Sequence, residues 1–224
     1  MKHQISLLTI FLAFFIQAVA QTQEAQQFPR FENQILEFER QDAANFPPEG
    51  ATLFIGSSSI RLWESLQVDF PELDVINRGF GGSTTEEVLY YFDRIVAPYS
   101  PKIIVYFAGT NDLARGVAPL RVVQNIETFI HKVHEMFPDT RLFILSHTIP
   151  VSRKHHYNSY VEANRLMEEM LKKYAFASYV DVTTPGLNNS GQPRPEIYTA
   201  DSLHLNSLGY EMWRNILRPA LVPE

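Results

Sequence analysis

The 224-residue sequence contains no cysteine. That excludes disulfide scaffolds, thiolate zinc sites, iron–sulfur clusters and cysteine nucleophiles, and it leaves the fold to be held by its core. The chain also lacks a run of like charge, an internal repeat and a low-complexity tract. A basic excess is missing too. With 19 Lys+Arg against 25 Asp+Glu the formal net charge is −6, which opposes an electrostatic nucleic-acid binder. What is present is a 45% apolar, 20% charged composition, the balance of a chain that builds a core.

The first 20 residues read MKHQISLLTIFLAFFIQAVA. Lys2 is their only charge, an apolar stretch runs from Ile5 to Ile16, and Ala18-Val19-Ala20 places small residues at −3 and −1 of a cleavage site. The apolar run is shorter than the ~20 residues that span a bilayer comfortably. The expectation is a signal peptide over 1–20, cleaved after Ala20, and a secreted or periplasmic chain with no stable membrane insertion afterwards.

Residues 21–50 read as a polar lead-in segment. Its amphipathic helix spans 31–40, turns Ile35, Leu36 and Phe38 inward, and ends before Pro47-Pro48. From residue 51 the pattern alternates. Apolar runs of strand length occupy 51–56, 73–77, 102–108, 141–146 and 177–182. Helical periodicity occupies 60–66, 84–96, 120–137, 159–174 and 207–217. Ser83-Thr84-Thr85-Glu86 opens the second helix with a capping-box sequence. Such alternation predicts one α/β domain over 51–224, a three-layer α/β/α sandwich around a five-stranded parallel sheet.

Ligands of such sheets bind beyond the carboxyl ends of the strands. There the sequence places Gly56-Ser57-Ser58-Ser59 after strand one and Arg78-Gly79-Phe80-Gly81-Gly82-Ser83 after strand two. Gly109-Thr110-Asn111-Asp112 follows strand three, and the long loop after strand five ends Asp201-Ser202-Leu203-His204. A hydroxyl, glycine amides, a side-chain amide and an Asp–His pair are the parts of an acyl-transfer site. Each part alone also has a plainer use: the serines as a turn or helix cap, Asn111 as an Asx turn, Asp201 as a cap, the glycines as turn residues. Asp201 and His204, three apart, can meet on one turn, where the carboxylate fixes the imidazole tautomer. Asp112 reads as a brace for its loop, and Trp63 as core.

Four ordered blocks, FIGSSSIRLW (54–63), INRGFGGSTT (76–85), YFAGTNDL (106–113) and DSLHLNSLGY (201–210), carry a family likeness. Through them the chain resembles the SGNH hydrolases, the GDSL-type esterases and lipases, in the block pattern of platelet-activating-factor acetylhydrolase-like and small secreted esterase members. The resemblance implies the flavodoxin-like three-layer fold. By position it implies Ser58 as nucleophile, Asp201 and His204 as its acid–base partners, and the amides of Ser58 and Gly82 with the Asn111 side chain as oxyanion donors. One departure is Ser57, which stands where the family usually has aspartate; the choice of Ser58 among three consecutive serines rests on spacing.

The reaction so implied is hydrolysis of a small-molecule or glycan ester through an acyl-enzyme, with no cofactor and no metal. His131 and His134 share a helix face without a third ligand. His147, His155 and His156 fall at the catalytic edge, at the pocket rim or in exposed loop. Segments 148–160 and 184–200 are expected to wall the pocket. They carry few large apolar residues, where a long acyl chain needs a contiguous apolar lining. That favours a short acyl group, acetyl, on a carbohydrate or other polar alcohol. The alternatives are a lipase, lysophospholipase or thioesterase acting on longer chains and, in another class, a non-catalytic carbohydrate-binding domain.

Overall fold

The computed structural model describes residues 29–222. The signal-peptide expectation for 1–20 lies outside the described residues. Five parallel strands, β1 (Thr52–Gly56), β2 (Val75–Gly79), β3 (Ile103–Phe107), β4 (Arg141–Leu145) and β5 (Ala177–Val180), form one sheet in the order β2-β1-β3-β4-β5. The strands alternate between two buried faces. Leu53, Ile55, Ile104, Tyr106, Leu142 and Ile144 point to one core, and Phe54, Val105, Phe107, Phe143 and Leu145 to the other. Because both faces are covered, the strands read in sequence as continuous apolar runs.

The first face is covered by α1 (Glu32–Ala44), α4 (Thr85–Tyr90), α5 (Phe92–Ile95), α7 (Pro119–Met136) and α8 (Tyr157–Leu171). On α7, Val122, Ile126, Phe129, Ile130 and Val133 form the buried stripe expected at helical spacing. The second face is covered by the short helices α2 (Ser58–Arg61) and α3 (Leu66–Asp69) and by α9 (Ser207–Leu221), through Ile60, Leu66, Trp213 and Leu217. Trp63 is core, packed among Phe54, Phe70, Tyr210 and Trp213. One further short helix, α6 (Thr110–Ala114), follows β3 directly. The three-layer α/β/α sandwich with a five-stranded parallel sheet is as the alternation predicts.

Several boundaries differ from the sequence reading, each for a visible reason. In α1 the inward positions are Ile35 and Phe38, preceded by Phe31 one turn earlier, while Leu36 is exposed. A helix face recurs at three and four residues, so Leu36, next to Ile35, cannot share it. β2 runs two residues further than the apolar run because Arg78 continues the ladder opposite Ile55. Its buried guanidinium is bonded to Asp42 of α1 and to the Tyr99 hydroxyl. The 84–96 helix is split at Tyr91 into α4 and α5. The capping box is real but one residue later, Thr84 with Glu87. Ser83 is unavailable to it, since its hydroxyl turns inward to the Gly56 carbonyl. The 60–66 helix is two short ones, α2 and α3, and β5 stops at Val180 where the Asp181 carboxylate accepts the Thr183 and Thr184 amides.

Strand order 2-1-3 places the topological switch between β1 and β3, where the connections leave in opposite directions and open a crevice. Gly56 ends β1 at that crevice with φ +143°, and a Cβ there would lie 1.9 Å from the Phe107 carbonyl oxygen. Only glycine lets β1 and β3 close this tightly before α2 begins.

Candidate active site

Beyond Gly56 the three serines take three different places. Ser57 is buried, with its amide bonded to Phe107 and its carbonyl accepting from the amides of Ile60 and Arg61. The Ser59 carbonyl accepts from the Tyr210 hydroxyl. Ser58, the first residue of α2, is half-buried and directs its Oγ to His204 Nε2 at 3.0 Å. His204 Nδ1 meets Asp201 Oδ2 at 2.6 Å. The hydroxyl, imidazole and carboxylate thus form one continuous chain of hydrogen bonds.

The Asp–His loop is built by its own residues. Asp201 Oδ1 accepts from the Thr199 hydroxyl at 2.7 Å and from the amides of Leu203 and His204 at 2.8 and 3.0 Å. The intervening Ser202 takes a left-handed conformation, φ +57°. Its carbonyl is gripped by the Ser152 amide and hydroxyl at 3.0 and 2.9 Å. Partial burial pushes the Asp201 carboxyl up. The bonds from the His204 amide, the Thr199 hydroxyl, the His204 ring and the Leu203 amide outweigh it and hold the group well below the usual carboxylate range. Asp201 is therefore a carboxylate at any pH where the protein works, and it sets the imidazole with its proton on Nδ1 and its free nitrogen toward Ser58.

Opposite this loop stand the expected oxyanion donors. Ser58, Gly82, Asn111 and His204 border one cleft of about 410 Å³. Among the described residues the Gly82 amide donates to no protein acceptor. The Asn111 side chain is buried, with its Nδ2 donating to the Ser83 carbonyl at 3.0 Å and its Oδ1 accepting from Arg153 at 3.0 Å. Arg153 can only donate, so it fixes which end of the amide is oxygen and leaves an N–H for the cleft.

Beneath Asn111, Asp112 accepts from the Thr85 amide and, at 2.7 Å, from the Thr85 hydroxyl; that hydroxyl in turn accepts from Asn125 of α7. Asp112 is a brace, as read from the sequence. Burial pushes its carboxyl up to about 6 against those hydrogen bonds and the charge of Arg115. Gly109, with φ +122°, makes room for His147: a Cβ there would lie 2.1 Å from the ring Nε2.

Other expectations need correction. His147 is neither at the rim nor in an exposed loop. It is fully buried under the β3–α6 turn, bonded to the Ala108 carbonyl and to Asn164, and burial lowers it to about 4. His131 bonds the Tyr174 hydroxyl and His134 stacks on Phe176, so both have structural partners. Of segment 148–160 only Arg153 borders the cleft, and 184–200 does not reach it. That second segment closes on itself through the Leu187–Pro193 bridge, and Asn206 holds its Glu196 and Tyr198 carbonyls. The lining instead includes Gln34, Arg61 and Leu203. Arg61 was legible as the residue one turn after Ser58, and Leu203 from its place beside His204. Gln34 carries no local signal, because only the packing of α1 brings it there.

The sequence profile described as the GDSL-like Lipase/Acylhydrolase family matches residues 36–212. Among curated proteins, the chain is 29% identical over 177 residues to platelet-activating factor acetylhydrolase IB subunit alpha1 of Rattus norvegicus, covering 75% of this chain and 73% of that one. It is 27% identical over 168 residues to the alpha2 subunit of Homo sapiens, covering 72% of each. Among solved structures, a GDSL-like lipase from Bacteroides thetaiotaomicron superposes with a TM-score of 0.72 at 21% identity, covering 83% of this chain and 96% of that one. The acetylxylan esterase Axe2 from Geobacillus stearothermophilus does so at 0.64 and 14%, covering 79% and 96%. These likenesses extend the match in fold to the SGNH hydrolases. By a profile that spans most of its length, the chain belongs to the GDSL-like lipase/acylhydrolase family and is an ester hydrolase of that family.

Proposed function

We propose that the protein is an exported serine esterase that removes short acyl groups, acetyl above all, from a carbohydrate or other polar alcohol. The observation that carries this reading is the unbroken chain Ser58 Oγ–His204 Nε2–His204 Nδ1–Asp201 in a cleft shared with Gly82 and Asn111. A serine hydroxyl is a weak nucleophile at neutral pH, so His204 takes its proton as Oγ attacks the ester carbon. The carbonyl oxygen becomes an oxyanion held by the amides of Ser58 and Gly82 and by Asn111 Nδ2, and Asp201 stabilises the imidazolium that has formed. His204 then gives its proton to the departing alkoxide oxygen, leaving an acyl-Ser58. Water, deprotonated by the same imidazole, repeats the attack and releases the acid and free Ser58.

Chain length follows from the walls. Among the described lining residues Leu203 alone carries an apolar side chain, and the rest are polar, charged or glycine. A long acyl chain would stay largely in water there, losing the ~0.8 kcal/mol per methylene that burial returns. The names of two similar proteins, an acetylhydrolase and an acetylxylan esterase, support the acetyl group. The leader-like residues 1–20 support export.

The test is hydrolysis of p-nitrophenyl acetate, butyrate and octanoate by the mature chain and by Ser58→Ala. The expected result is a rate that falls with acyl length and drops by roughly 10⁴-fold or more in the variant. Faster turnover of octanoate moves the substrate to lipids. Glycan binding without Ser58-dependent turnover of any ester returns the reading to a binding domain.

A further inference from the structure

The protein is acidic overall, and most of its arginines are paired with carboxylates: Arg30 with Glu87, Arg78 with Asp42, Arg94 with Glu32 and Glu39, Arg121 with Glu86, Arg218 with Glu72. Among the described residues four arginines have no carboxylate within ion-pair distance: Arg61, Arg115, Arg141 and Arg153. Three of them converge on the cleft. Arg61 lies over Gly81, where a Cβ would be 2.7 Å from its Nε. Arg115 donates to the Gly82 carbonyl at 3.1 Å. Arg153 donates through Nη1 to Asn111 Oδ1 at 3.0 Å and to the Thr110 carbonyl at 3.4 Å, and it faces no carboxylate there. No described residue lining the cleft is acidic.

Arginines left without a carboxylate at the mouth of a small polar cleft, in a chain that pairs most of its arginines, mark where a ligand supplies the counter-charge. We propose that the alcohol portion of the substrate carries an anionic group, a carboxylate or phosphate, received by the guanidinium groups of Arg61 and Arg153. The proposal rests on the esterase reading and names its substrate class. The alcohol side follows from where Arg153 is anchored. Ser152 grips the Ser202 carbonyl, so Arg153 stands beside the loop that carries His204, the group that protonates the leaving alcohol. Guanidinium is suited to the task, because its planar fork matches the two oxygens of a carboxylate or phosphate.

The experiment is binding calorimetry on the full mature chain carrying Ser58→Ala, which keeps the ester intact. The probes are an acetylated methyl glucuronoside against the matching acetylated methyl glucoside, and acetylglycerol phosphate against acetylglycerol. At least one anionic member is expected to bind about tenfold more tightly than its neutral partner, and the better pair identifies the source of the charge. The preference should collapse toward unity with Arg61→Gln and shrink in about 0.5 M salt, where the Debye length falls to about 4 Å. Arg61 is exposed, so its variant folds. Equal, undetectable or weaker binding of both anions overturns the proposal. A charge preference retained by a protein that, with Ser58 intact, hydrolyses neither ester keeps the anion site and removes the esterase reading alone.

Discussion

The two sides of the cleft are built in opposite ways. On the donor side, Asn111 is buried on a turn whose supports come from three places in the fold: Ser83 and Thr85 around the start of α4, Asn125 of α7, and His147 beyond β4. On the acid–base side, Asp201 is half exposed and held by Thr199, Leu203 and His204, all within three residues of it. The first side is continuous with the core, and the second is a self-supporting loop pinned at Ser152. Oxyanion stabilisation depends on donors that do not move, so rigidity from below is useful there. The imidazole must take and release a proton, and it needs only its tautomer and direction fixed.

This contrast predicts that activity and stability separate on one side and travel together on the other. Asp201→Asn should show the largest effect, a fall in kcat of roughly 10³ to 10⁴-fold from the lost imidazolium partner and the wrong tautomer. Its melting temperature should stay within a few degrees of the parent, because Asn retains the Oδ1 acceptor for the loop amides and the site is exposed. Asn111→Ala should lower kcat less, by about 10² to 10³-fold. It should also cost about 1–3 kcal/mol in urea unfolding, since the Ser83 carbonyl and Arg153 both lose a partner in a buried setting. A large stability loss in the first variant, or none in the second, would break the comparison.

The same contrast explains what the sequence disclosed. Ser58, Asp201 and His204 sit in short segments whose geometry is local, a strand–turn–helix and a four-residue loop, so the sequence blocks that carry the family resemblance point to them. Asn111 was found in the same way, but its supports were not. Thr85, Asn125 and Arg153 lie 26, 14 and 42 residues from it in sequence, and nothing short of the folded sheet brings them together. His147 misled the sequence reading for a related reason. A histidine after a strand at the catalytic edge reads as rim, and only the close packing over Gly109 shows that it is a buried prop. Arg78 is the converse case, a charge that hid the last residues of β2 because its partner Asp42 lies in a helix more than thirty residues earlier.

The smallest effect expected is also the one that tests the donor side without touching chemistry. Asp112 and His147 are both buried under the Asn111 turn and titrate abnormally in opposite senses. The Asp112 carboxyl is raised from 3.8 to about 6, so between these values the folded chain holds a proton that the unfolded chain has lost. Its contribution to stability is complete below about pH 4 and declines as the pH rises to 6. His147 is lowered from 6.5 to about 4, so across nearly the same window the unfolded chain holds the extra proton, and stability increases with pH. Each contribution amounts to about 3 kcal/mol at most, and together they nearly cancel. The parent protein should therefore show a shallow dependence on these two groups between pH 4 and 6. Asp112→Asn removes the falling component and keeps the polar contact to Thr85, so urea unfolding of this variant should become steeper, gaining stability with rising pH. A variant whose profile remained parallel to that of the parent would show that Asp112 is already ionised at pH 4, and that the Thr85 bonds, rather than a retained proton, accommodate it beneath the cleft.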